Sequence, residues 1–232
     1  MSALKPLADW FGDLPQVILM DLDGTLVDSA ADIALSLNRA LADLGLGAVT
    51  EAQVRDWVGR GAARLIEVAL QHVVPHHGQD PQKHAVEARL LAAFMARYQD
   101  SVCEASTVYL GVAEFVAAAR NAGIRLACVT NKPYRPAVAL LEALNLLDAF
   151  ELVIGGDTLA HKKPHPEPLL HCLRHFEVTA AQALMVGDSR NDVDAAKAAG
   201  VKSLALPYGY NHGEPIEDCA PDRLVASLAE LI

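Results

Sequence analysis

The stretch MDLDGTLVDS, residues 20–29, carries the clearest structural signal in the chain. It overlaps the apolar run VILM, which predicts a short strand buried on both faces and ending before Asp21. Because residues i and i+2 of an extended segment project to the same side, Asp21 and Asp23 can meet one ligand at the carboxyl end of this strand. Gly24 gives the backbone the freedom for a sharp turn. Taken alone, the same pattern also fits an aspartate turn that ends a strand and caps a helix.

Four more short apolar runs follow along the chain, and each ends at a residue typical of turns. Ala- and Leu-rich stretches of helical length separate them. This alternation predicts an α/β fold, a doubly wound parallel sheet of Rossmann-like form in which the helices are crossovers. The predicted strands are VILM before Asp21, IRLACV before Thr130, ELVI before Gly155, ALMV before Gly187 and SLAL before Pro207.

Residues 28–101 lack strand-like runs, and their apolar residues have the spacing of amphipathic helices. We therefore expect a helical cap domain inserted after the first strand, with residues 1–27 and 102–232 forming the α/β core. Since the insert leaves from the carboxyl end of that strand, it would lie over the edge where open α/β sheets bind ligands. The cap is thus predicted to act as a lid.

The composition excludes several classes of protein. Of 232 residues, 52% are hydrophobic and 21% are charged, which is typical of a globular chain and not of a disordered one. A net charge of −10 disfavours nucleic acid and acidic membrane surfaces as partners. No run approaches the roughly 18 apolar residues of a membrane span, and the four cysteines form no CxxC pair. We therefore expect a cytoplasmic protein with reduced thiols.

A second strand end is also acidic. In ALMVGDSRND the predicted strand stops at Gly187 and is followed by Asp188 and Asp192. If this strand neighbours the first, Asp188 converges with Asp21 and Asp23 on a site of hard oxygen ligands, which Mg²⁺ prefers. Helix capping by Asp188 would explain one acid, but not three acids at two strand ends.

Three polar residues add donors and a positive charge. Thr130 and Asn131 follow the predicted strand IRLACV, and Lys163 lies in the loop HKKPHPEPL. Each is a weak signal alone, because Thr and Asn are common in turns and a loop lysine is commonly a solvated charge. At the same sheet edge as a carboxylate nucleophile and a metal, they would hold the oxygens of a phosphoryl group.

These pieces, in this order, resemble the four motifs of the haloacid dehalogenase-like hydrolase superfamily. Residues 21–25 resemble its DxDGT motif, and Thr130 resembles its Ser or Thr after a strand. Lys163 resembles its Lys before Pro, and residues 187–192 resemble its GDxxxD motif. The resemblance covers nearly the whole chain, and residues 28–101 are similar to the family's first class of helical cap.

The resemblance implies a Mg²⁺-dependent phosphomonoester hydrolase. Asp21 would attack phosphorus to give an aspartyl phosphate, while Asp23 would protonate the leaving alkoxide and later deprotonate the hydrolytic water. Mg²⁺ would be held by Asp21, the main-chain carbonyl of Asp23 and Asp188, with Asp192 in its outer shell. Lys163 would add a second positive charge. The remaining catalytic residues implied by the resemblance are Thr130 and Asn131.

A narrower resemblance concerns the substrate. The segments DLDGTLVDS, WVGRGA, VTNKP, KKPHPEPL, GDSRND and PYGYN resemble those of the bacterial phosphoglycolate phosphatases, which implies a small anionic phosphate ester, 2-phosphoglycolate. In the cap, Gly59 and Gly61 would allow close approach of the backbone, and either Arg60 or Lys132 would supply charge. Arg60 is equally well explained as a solvated loop arginine. The residues expected to bind substrate are Gly24, Thr25, Gly59, Arg60, Gly61 and Lys132.

Three functions stay open on the sequence: a phosphatase for this or another small ester, a phosphosugar mutase of the same fold, and a receiver that only stores an aspartyl phosphate. A receiver needs no acid for a leaving group, so Asp23 favours an enzyme. A mutase must exclude water and return the phosphoryl group, and no cap residue after Asp28 is recognised for that task. Monomer and homodimer are both compatible with the sequence.

Overall fold

The structure is a computed structural model that describes residues 3–79 and 81–232. Within these residues the chain forms eight strands and nine α-helices. The strands are β1 (Val17–Met20), β2 (Val27–Asp28), β3 (Thr107–Val108), β4 (Arg125–Val129), β5 (Leu152–Ile154), β6 (Ala183–Gly187), β7 (Lys202–Ala205) and β8 (Arg223–Leu224). The helices are α1 (Lys5–Phe11), α2 (Ala30–Asp43), α3 (Glu51–Trp57), α4 (Ala62–Val73), α5 (Lys83–Asp100), α6 (Val112–Asn121), α7 (Tyr134–Ala143), α8 (Glu167–His175) and α9 (Arg190–Ala199).

Six parallel strands form one sheet in the order β5-β4-β1-β6-β7-β8. Within it, β1 is central, and its Met20 pairs with Cys128 on one side and with Val186 on the other. The chain proceeds outward from β1 through β4 and β5 in one direction, and through β6, β7 and β8 in the other. Open α/β sheets bind ligands at such a reversal, outside the carboxyl ends of the strands. The predicted doubly wound parallel sheet is confirmed.

Helices cover both faces of the sheet, because alternate residues of a strand point to opposite sides. Ile18 and Met20 belong to the apolar cluster that includes α1, α6 and α7, whereas Val17 and Leu19 belong to the cluster with α8 and α9. Burial on both faces explains why the strands are solid apolar runs in the sequence. All five predicted strands are present, with ends shifted by at most one residue.

The segment between β2 and β3 is helical, so the predicted helical insert after the first strand is confirmed. Its helices α2 to α5 pack around an apolar core of their own. In α2, Ile33, Leu37 and Leu41 recur at intervals of four and are buried in this core, which is the pattern of an amphipathic helix. The cap is therefore stabilised by a hydrophobic core of its own, as a compact body above the sheet.

A two-stranded antiparallel ribbon connects cap and core, and no apolar run in the sequence predicts it. Val27 pairs with Val108, and Asp28 pairs with Thr107. The predicted boundary after residue 27 therefore falls inside β2, while the boundary after residue 101 falls between α5 and β3. The division into 1–27 with 102–232 and 28–101 stays a prediction.

The cysteines and the helices relate to two expectations drawn from the composition, reduced thiols and the lack of a membrane span. Cys128, Cys172 and Cys219 are buried free thiols, and Cys103 is a half-buried one. Among the described helices, none combines the length and the apolar composition that crossing a bilayer requires. The cytoplasmic location stays a prediction.

Candidate active site

Three aspartates meet at the carboxyl edge of the sheet. Asp21 directly follows β1, Asp188 directly follows β6, and Asp192 lies in the first turn of α9. Because β1 and β6 are adjacent parallel strands, their carboxyl ends bring Asp21 and Asp188 together. One carboxylate oxygen from each of the three aspartates lies within 4.8 Å of the other two, and all three side chains are buried. We call these three residues the acidic cluster.

Burial disfavours the charged forms of Asp21 and Asp188. Desolvation raises the pKa of Asp21 to about 7, although the ammonium of Lys163 acts in the opposite direction. Desolvation also raises the pKa of Asp188 well above its ordinary value, and the carboxylates of Asp192 and Asp21 add to this effect. A divalent cation would relieve the repulsion, and carboxylate oxygens are ligands that Mg²⁺ prefers. The donor set therefore fits Mg²⁺.

Asp188 is held from two sides. Its Oδ1 accepts a hydrogen bond from Thr25 Oγ1 at 2.6 Å, and its Oδ2 accepts one from the backbone N–H of Tyr210 at 2.6 Å. A Cβ at Gly24 or at Gly209 would overlap the Asp188 carboxylate, so glycine is needed at both positions. Gly24 and Thr25, which were predicted to bind substrate, thus lie against a predicted metal ligand.

Lys163 is the cation within the acidic cluster. Its Nζ lies 2.6 Å from Oδ1 of Asp192, 3.0 Å from Oδ1 of Asp21 and 2.5 Å from the carbonyl oxygen of Val129. Burial alone would lower the pKa of Lys163, but Asp192 and Asp21 raise it above its ordinary value, so the ammonium stays charged. The other oxygen of Asp192 accepts from the N–H and the hydroxyl of Ser189. Asp192 thus orients Lys163 and caps α9.

Asp23 has different partners. Its Oδ1 accepts a hydrogen bond from Ser29 Oγ at 2.5 Å, and Lys132 Nζ lies 2.9 and 3.1 Å from its two oxygens. Lys132 is buried, and although desolvation opposes its charge, Asp23 raises its pKa above the ordinary value. The Lys132 ammonium also lies 4.5 Å from the centre of the ring of Tyr98, a residue of α5 in the cap. A cation and a hydroxyl therefore hold Asp23.

Thr130 and Asn131 follow β4, the other neighbour of β1, and both are buried. Thr130 Oγ1 accepts a hydrogen bond from the backbone N–H of Lys132 at 3.2 Å. The side-chain amide of Asn131 donates to the carbonyls of Gly59, at 2.8 Å, and Lys163, at 2.9 Å. No described residue bonds to its buried Oδ1. Asn131 thus connects the loop of Lys163 to the cap.

A small cavity of about 40 Å³ lies between this edge of the sheet and the cap. Its core side is polar and its cap side is mainly apolar, and among the described residues Lys132 has the only positively charged side chain in its lining. Some of the predicted site residues are not part of the lining, namely Gly24, Thr25, Arg60, Lys163, Asp188 and Asp192. The lining residues are Asp21, Asp23, Ile33, Val58, Gly59, Gly61, Ala62, Leu65, Phe94, Met95, Tyr98, Thr130, Asn131, Lys132 and Pro133.

The loop between α3 and α4 docks the cap on the core, and we call residues 59–61 the docking loop. The Gly59 carbonyl accepts from the amides of Asn131, at 2.8 Å, and Asn191, at 3.2 Å. The Arg60 carbonyl accepts from Lys162 Nζ at 2.8 Å. These three donors come from the loop after β4, from the first turn of α9 and from the loop before α8. The docking loop is therefore bound to the loops that carry Asn131 and Lys163, and to the helix that carries Asp192.

Gly59 and Gly61 line the cavity, and their φ angles of +107° and +88° favour glycine. Their role in binding substrate stays a prediction. The side chain of Arg60, in contrast, is exposed and lies outside the cavity, while its carbonyl accepts the bond from Lys162. The geometry gives no support to a substrate contact by Arg60, and it leaves Lys132 as the candidate for that charge.

Tyr210 connects the cap to the core, and the sequence does not predict this role. Its hydroxyl accepts from the N–H groups of Ser29, at 3.0 Å, and Ala30, at 3.2 Å, and donates to Asp28 at 2.5 Å. Since its own N–H binds Asp188, Tyr210 joins the acidic cluster to the start of the cap. In the sequence, only the family resemblance of its segment PYGYN connects Tyr210 with the site.

Ser29, Tyr98 and Asn191 were also missed. Ser29 and Asn191 lie inside the quoted segments DLDGTLVDS and GDSRND, but neither pattern says which atoms they bond. Tyr98 continues the apolar spacing of α5, so from the sequence it is a core position of a helix. No local signal distinguishes it from Phe94, with which it stacks at 5.5 Å between ring centres.

A second group of potential metal ligands lies at the surface, in the loop before α8. It consists of His161, His165 and Glu167. Glu167 accepts from the N–H of His161 and pairs with its Nδ1 at 2.9 Å, while the N–H of Glu167 donates to Nδ1 of His165. These bonds account for the group as a hydrogen-bonded loop, and the acidic cluster is the better metal site.

The chain was compared in sequence with known families. The profile of haloacid dehalogenase-like hydrolases matches residues 18–206, a span that runs from β1 to just beyond β7. All four motif positions lie within it. The match therefore covers the sheet edge, the cap and the acidic cluster together.

Individual relatives agree with the profile. The phosphoglycolate phosphatases of Nitrosococcus oceani and Colwellia psychrerythraea are each 44% identical to this chain over 217 residues, covering 94% of it and 95% of each relative. A predicted phosphoglycolate phosphatase from Haemophilus somnus has a TM-score of 0.85 and 34% identity, covering 93% of this chain and 96% of that one. CbbY from Rhodobacter sphaeroides, solved with phosphate, has a TM-score of 0.79 and 29% identity, covering 94% and 96%. The chain belongs to the haloacid dehalogenase-like hydrolases.

Proposed function

We propose that this chain is a Mg²⁺-dependent phosphomonoester hydrolase that works through an aspartyl phosphate on Asp21, with 2-phosphoglycolate as its substrate. One observation carries the proposal: Asp21 and Asp23 have unlike surroundings at the same strand end. Asp21 lies within the acidic cluster, with its Oδ1 3.0 Å from Lys163 Nζ. Asp23 is bonded to Lys132 and Ser29 outside that cluster. The two carboxylates can therefore take the two roles that the reaction needs, nucleophile and acid.

In the first half-reaction the Asp21 carboxylate attacks phosphorus in line, and a bond from its oxygen to phosphorus forms while the ester P–O bond breaks. The N–H of Leu22, 2.7 Å from Oδ1, and the ammonium of Lys163 hold the carboxylate in place. Asp23 gives its proton to the departing alkoxide, which leaves as an alcohol. Lys163 balances negative charge on the phosphoryl oxygens, and Thr130 lies beside them at the cavity wall.

In the second half-reaction Asp23 takes a proton from the water that attacks the aspartyl phosphate. The bond between phosphorus and the Asp21 oxygen breaks, phosphate leaves, and both aspartates return to their starting states. Ser29 and Lys132 fix the orientation of Asp23 for both steps. One acid thus serves both half-reactions, as general acid and then as general base.

The side chains of Asp21 and Asp188, with the main-chain carbonyl of Asp23, would hold Mg²⁺. When bound there, Mg²⁺ supplies positive charge that offsets the repulsion between a carboxylate nucleophile and a phosphate dianion. Thr25 and the N–H of Tyr210 keep Asp188 in position by bonding its two oxygens. Asp192 supports the site indirectly, through its contact with Lys163.

Two observations support 2-phosphoglycolate as the substrate. Relatives of that name match most of this chain at 44% identity. The cavity beneath the cap is small, and the docking loop is bound to the core, which limits the size of the leaving group. We therefore expect long sugar phosphates and phosphoproteins to be poor substrates.

Steady-state kinetics on a panel of phosphate esters tests the proposal. The kcat/KM for 2-phosphoglycolate should exceed the values for phospholactate, glycerol phosphates and hexose phosphates. Activity should vanish in EDTA and return with Mg²⁺ but not with Ca²⁺, whose larger coordination shell would displace Asp21. Hexose phosphates ahead by about tenfold would overturn the substrate but not the phosphatase. Full activity in EDTA would overturn the metal requirement.

Product analysis on the same panel separates a hydrolase from a phosphosugar mutase. A hydrolase releases inorganic phosphate and the free alcohol in equal amounts from each ester. A mutase returns the phosphoryl group to the sugar, and isomeric sugar phosphate would accumulate without matching inorganic phosphate. We expect stoichiometric phosphate release.

A further inference from the structure

We propose that Lys132 and Tyr98 together form the site that binds the carboxylate of the leaving group, and that this pair sets the preference for phosphorylated acids over neutral phosphate esters. The inference rests on the proposed function, since it concerns how that substrate is selected. It assigns a specificity role to one residue from the core and one from the cap. Neither residue belongs to the acidic cluster.

The charge of the cavity lining favours Lys132 as the residue that binds a carboxylate. The cap contributes mainly apolar side chains there, including Ile33, Leu65 and Phe94. A carboxylate held against such a wall loses its hydration, and the loss is compensated only by a cation or by strong hydrogen-bond donors. Within the part of the chain that the structure describes, Lys132 is the only lining residue with a positive charge, and it is therefore the cationic partner that this cavity offers an anionic leaving group.

The hydrogen-bond donors of Lys132 and Tyr98 also favour this pair as the carboxylate site. An ammonium has three N–H donors, and the Lys132 ammonium contacts the two oxygens of Asp23 at 2.9 and 3.1 Å. The ammonium also interacts with the Tyr98 side chain, so both groups can act on one acceptor. The Tyr98 hydroxyl is buried, and no acceptor for its proton lies within hydrogen-bond distance among the described residues. Since burial raises the pKa of Tyr98 to about 12, this hydroxyl keeps its proton and can donate it to a carboxylate oxygen.

Lys132 and Tyr98 are also placed on the two sides of the cavity, one in the core and one in the cap. Lys132 is tied to the phosphoryl end of the site, because its N–H bonds Thr130 Oγ1 at 3.2 Å. Tyr98 belongs to α5 of the cap, and its ring centre lies 4.5 Å from Lys132 Nζ. The pair therefore exists only while cap and core are together. A substrate whose carboxylate joins these two groups also helps to hold the cap closed.

A different role for Lys132 has to be separated from this one. Its contact with Asp23 also fits a positioning residue that orients the acid and takes no part in substrate selection. Removal of Lys132 would lower activity in both cases. The two roles differ in substrate dependence: a residue that positions the acid affects alkyl phosphates alike, whereas a carboxylate-binding residue affects chiefly those with a carboxylate.

The experiment compares kcat/KM for 2-phosphoglycolate and for ethyl phosphate, which has a methyl group where phosphoglycolate has its carboxylate. The variants are Lys132→Met and Tyr98→Phe, and the matched control is Tyr109→Phe. Tyr109 also has a buried hydroxyl without a partner among the described residues, but it lies outside the cavity lining. The ratio of the two kcat/KM values is the readout, because it cancels any general damage to catalysis.

We expect Lys132→Met to lower this ratio by about 10- to 100-fold, the range for a lost charge-assisted hydrogen bond. Tyr98→Phe should lower it by about fivefold, and Tyr109→Phe should leave it unchanged. An unchanged ratio in both Lys132→Met and Tyr98→Phe would overturn the inference while the proposed function stands. If the wild-type enzyme itself does not prefer 2-phosphoglycolate, the proposed substrate fails. Should Lys132→Met not fold, Tyr98→Phe decides alone.

Discussion

At Asp21 and Asp23, two identical side chains two residues apart have opposite surroundings. Desolvation within the acidic cluster raises the pKa of Asp21 to about 7. Asp23 bonds a buried ammonium and a hydroxyl. The same substitution at the two positions should therefore have different consequences, and each can be tested separately.

We expect Asp21→Asn to abolish turnover while the fold is kept. The amide is nearly the same size as the carboxylate, but it is a poor nucleophile. Phosphate release by the purified variant should fall to background, and its circular dichroism spectrum should match that of the wild type. Steady-state turnover by a folded Asp21→Asn protein would show that another group attacks phosphorus.

For Asp23→Asn we expect a loss that depends on the leaving group. Alkyl phosphates need a proton on the departing oxygen, so kcat/KM should fall about 10²- to 10⁴-fold. p-Nitrophenyl phosphate, whose leaving group needs little protonation, should lose much less. Equal losses on both substrates would argue against acid catalysis by Asp23.

At the scale of elements, the docking loop is the feature that joins the two parts of the molecule. Its carbonyls at Gly59 and Arg60 accept side-chain bonds from two core loops and from the first turn of α9. At Gly61 a Cβ would lie 2.5 Å from Lys162 Nζ, and φ is +88°. A side chain at Gly61 therefore disturbs both the backbone conformation and one of these bonds.

We expect Gly61→Ala to lower kcat/KM for phosphoglycolate about tenfold, because a closed state that costs about 1.4 kcal/mol more is populated tenfold less. Gly47→Ala is the matched control within the cap. A Cβ at Gly47 has no atom within 4 Å and the residue has no positive φ, so activity and thermal stability should not change. Equal kinetics for the two variants would show that the docking loop does not control closure.

Five of the six sheet strands were predictable because each reads as a nearly solid apolar run, whereas β8, an Arg and a Leu that are both partly exposed, was not. The ribbon of β2 and β3 was not, since two-residue strands carry no periodicity and form only when distant segments pair. The same distinction applies to the site. Asp21 and Asp188 could be placed because they follow strands, whereas Tyr98 and Tyr210 act through tertiary contacts that leave no local pattern.

At the scale of the whole molecule, the buried acids make stability depend on pH when no metal is present. The pKa of Asp21 is raised from 3.8 to about 7. Between these values the native state holds a proton that the unfolded chain has released, so this contribution to stability falls as the pH rises. Metal binding to the native state would reverse the loss.

We therefore expect urea unfolding in EDTA to show a pH-dependent difference between wild type and Asp21→Asn. The free energy of unfolding of the wild type should decline relative to that of the variant, by roughly 3 kcal/mol, between about pH 4 and about pH 7. Added Mg²⁺ should stabilise the wild type most at the upper end of this range. Parallel pH profiles of the two proteins would contradict the raised pKa.

Because Val27 pairs with Val108 and Asp28 with Thr107, the two crossings of the chain between core and cap are neighbouring strands. Their Cα atoms are therefore about 5 Å apart, a gap that a hairpin turn of two residues also bridges. An insert of any length with adjacent ends can replace residues 30–106 without stretching the sheet. Evolution can thus exchange the cap as a module, altering the cap side of the cavity while the acidic cluster and the contacts of Asp23 with Ser29 and Lys132 are inherited intact.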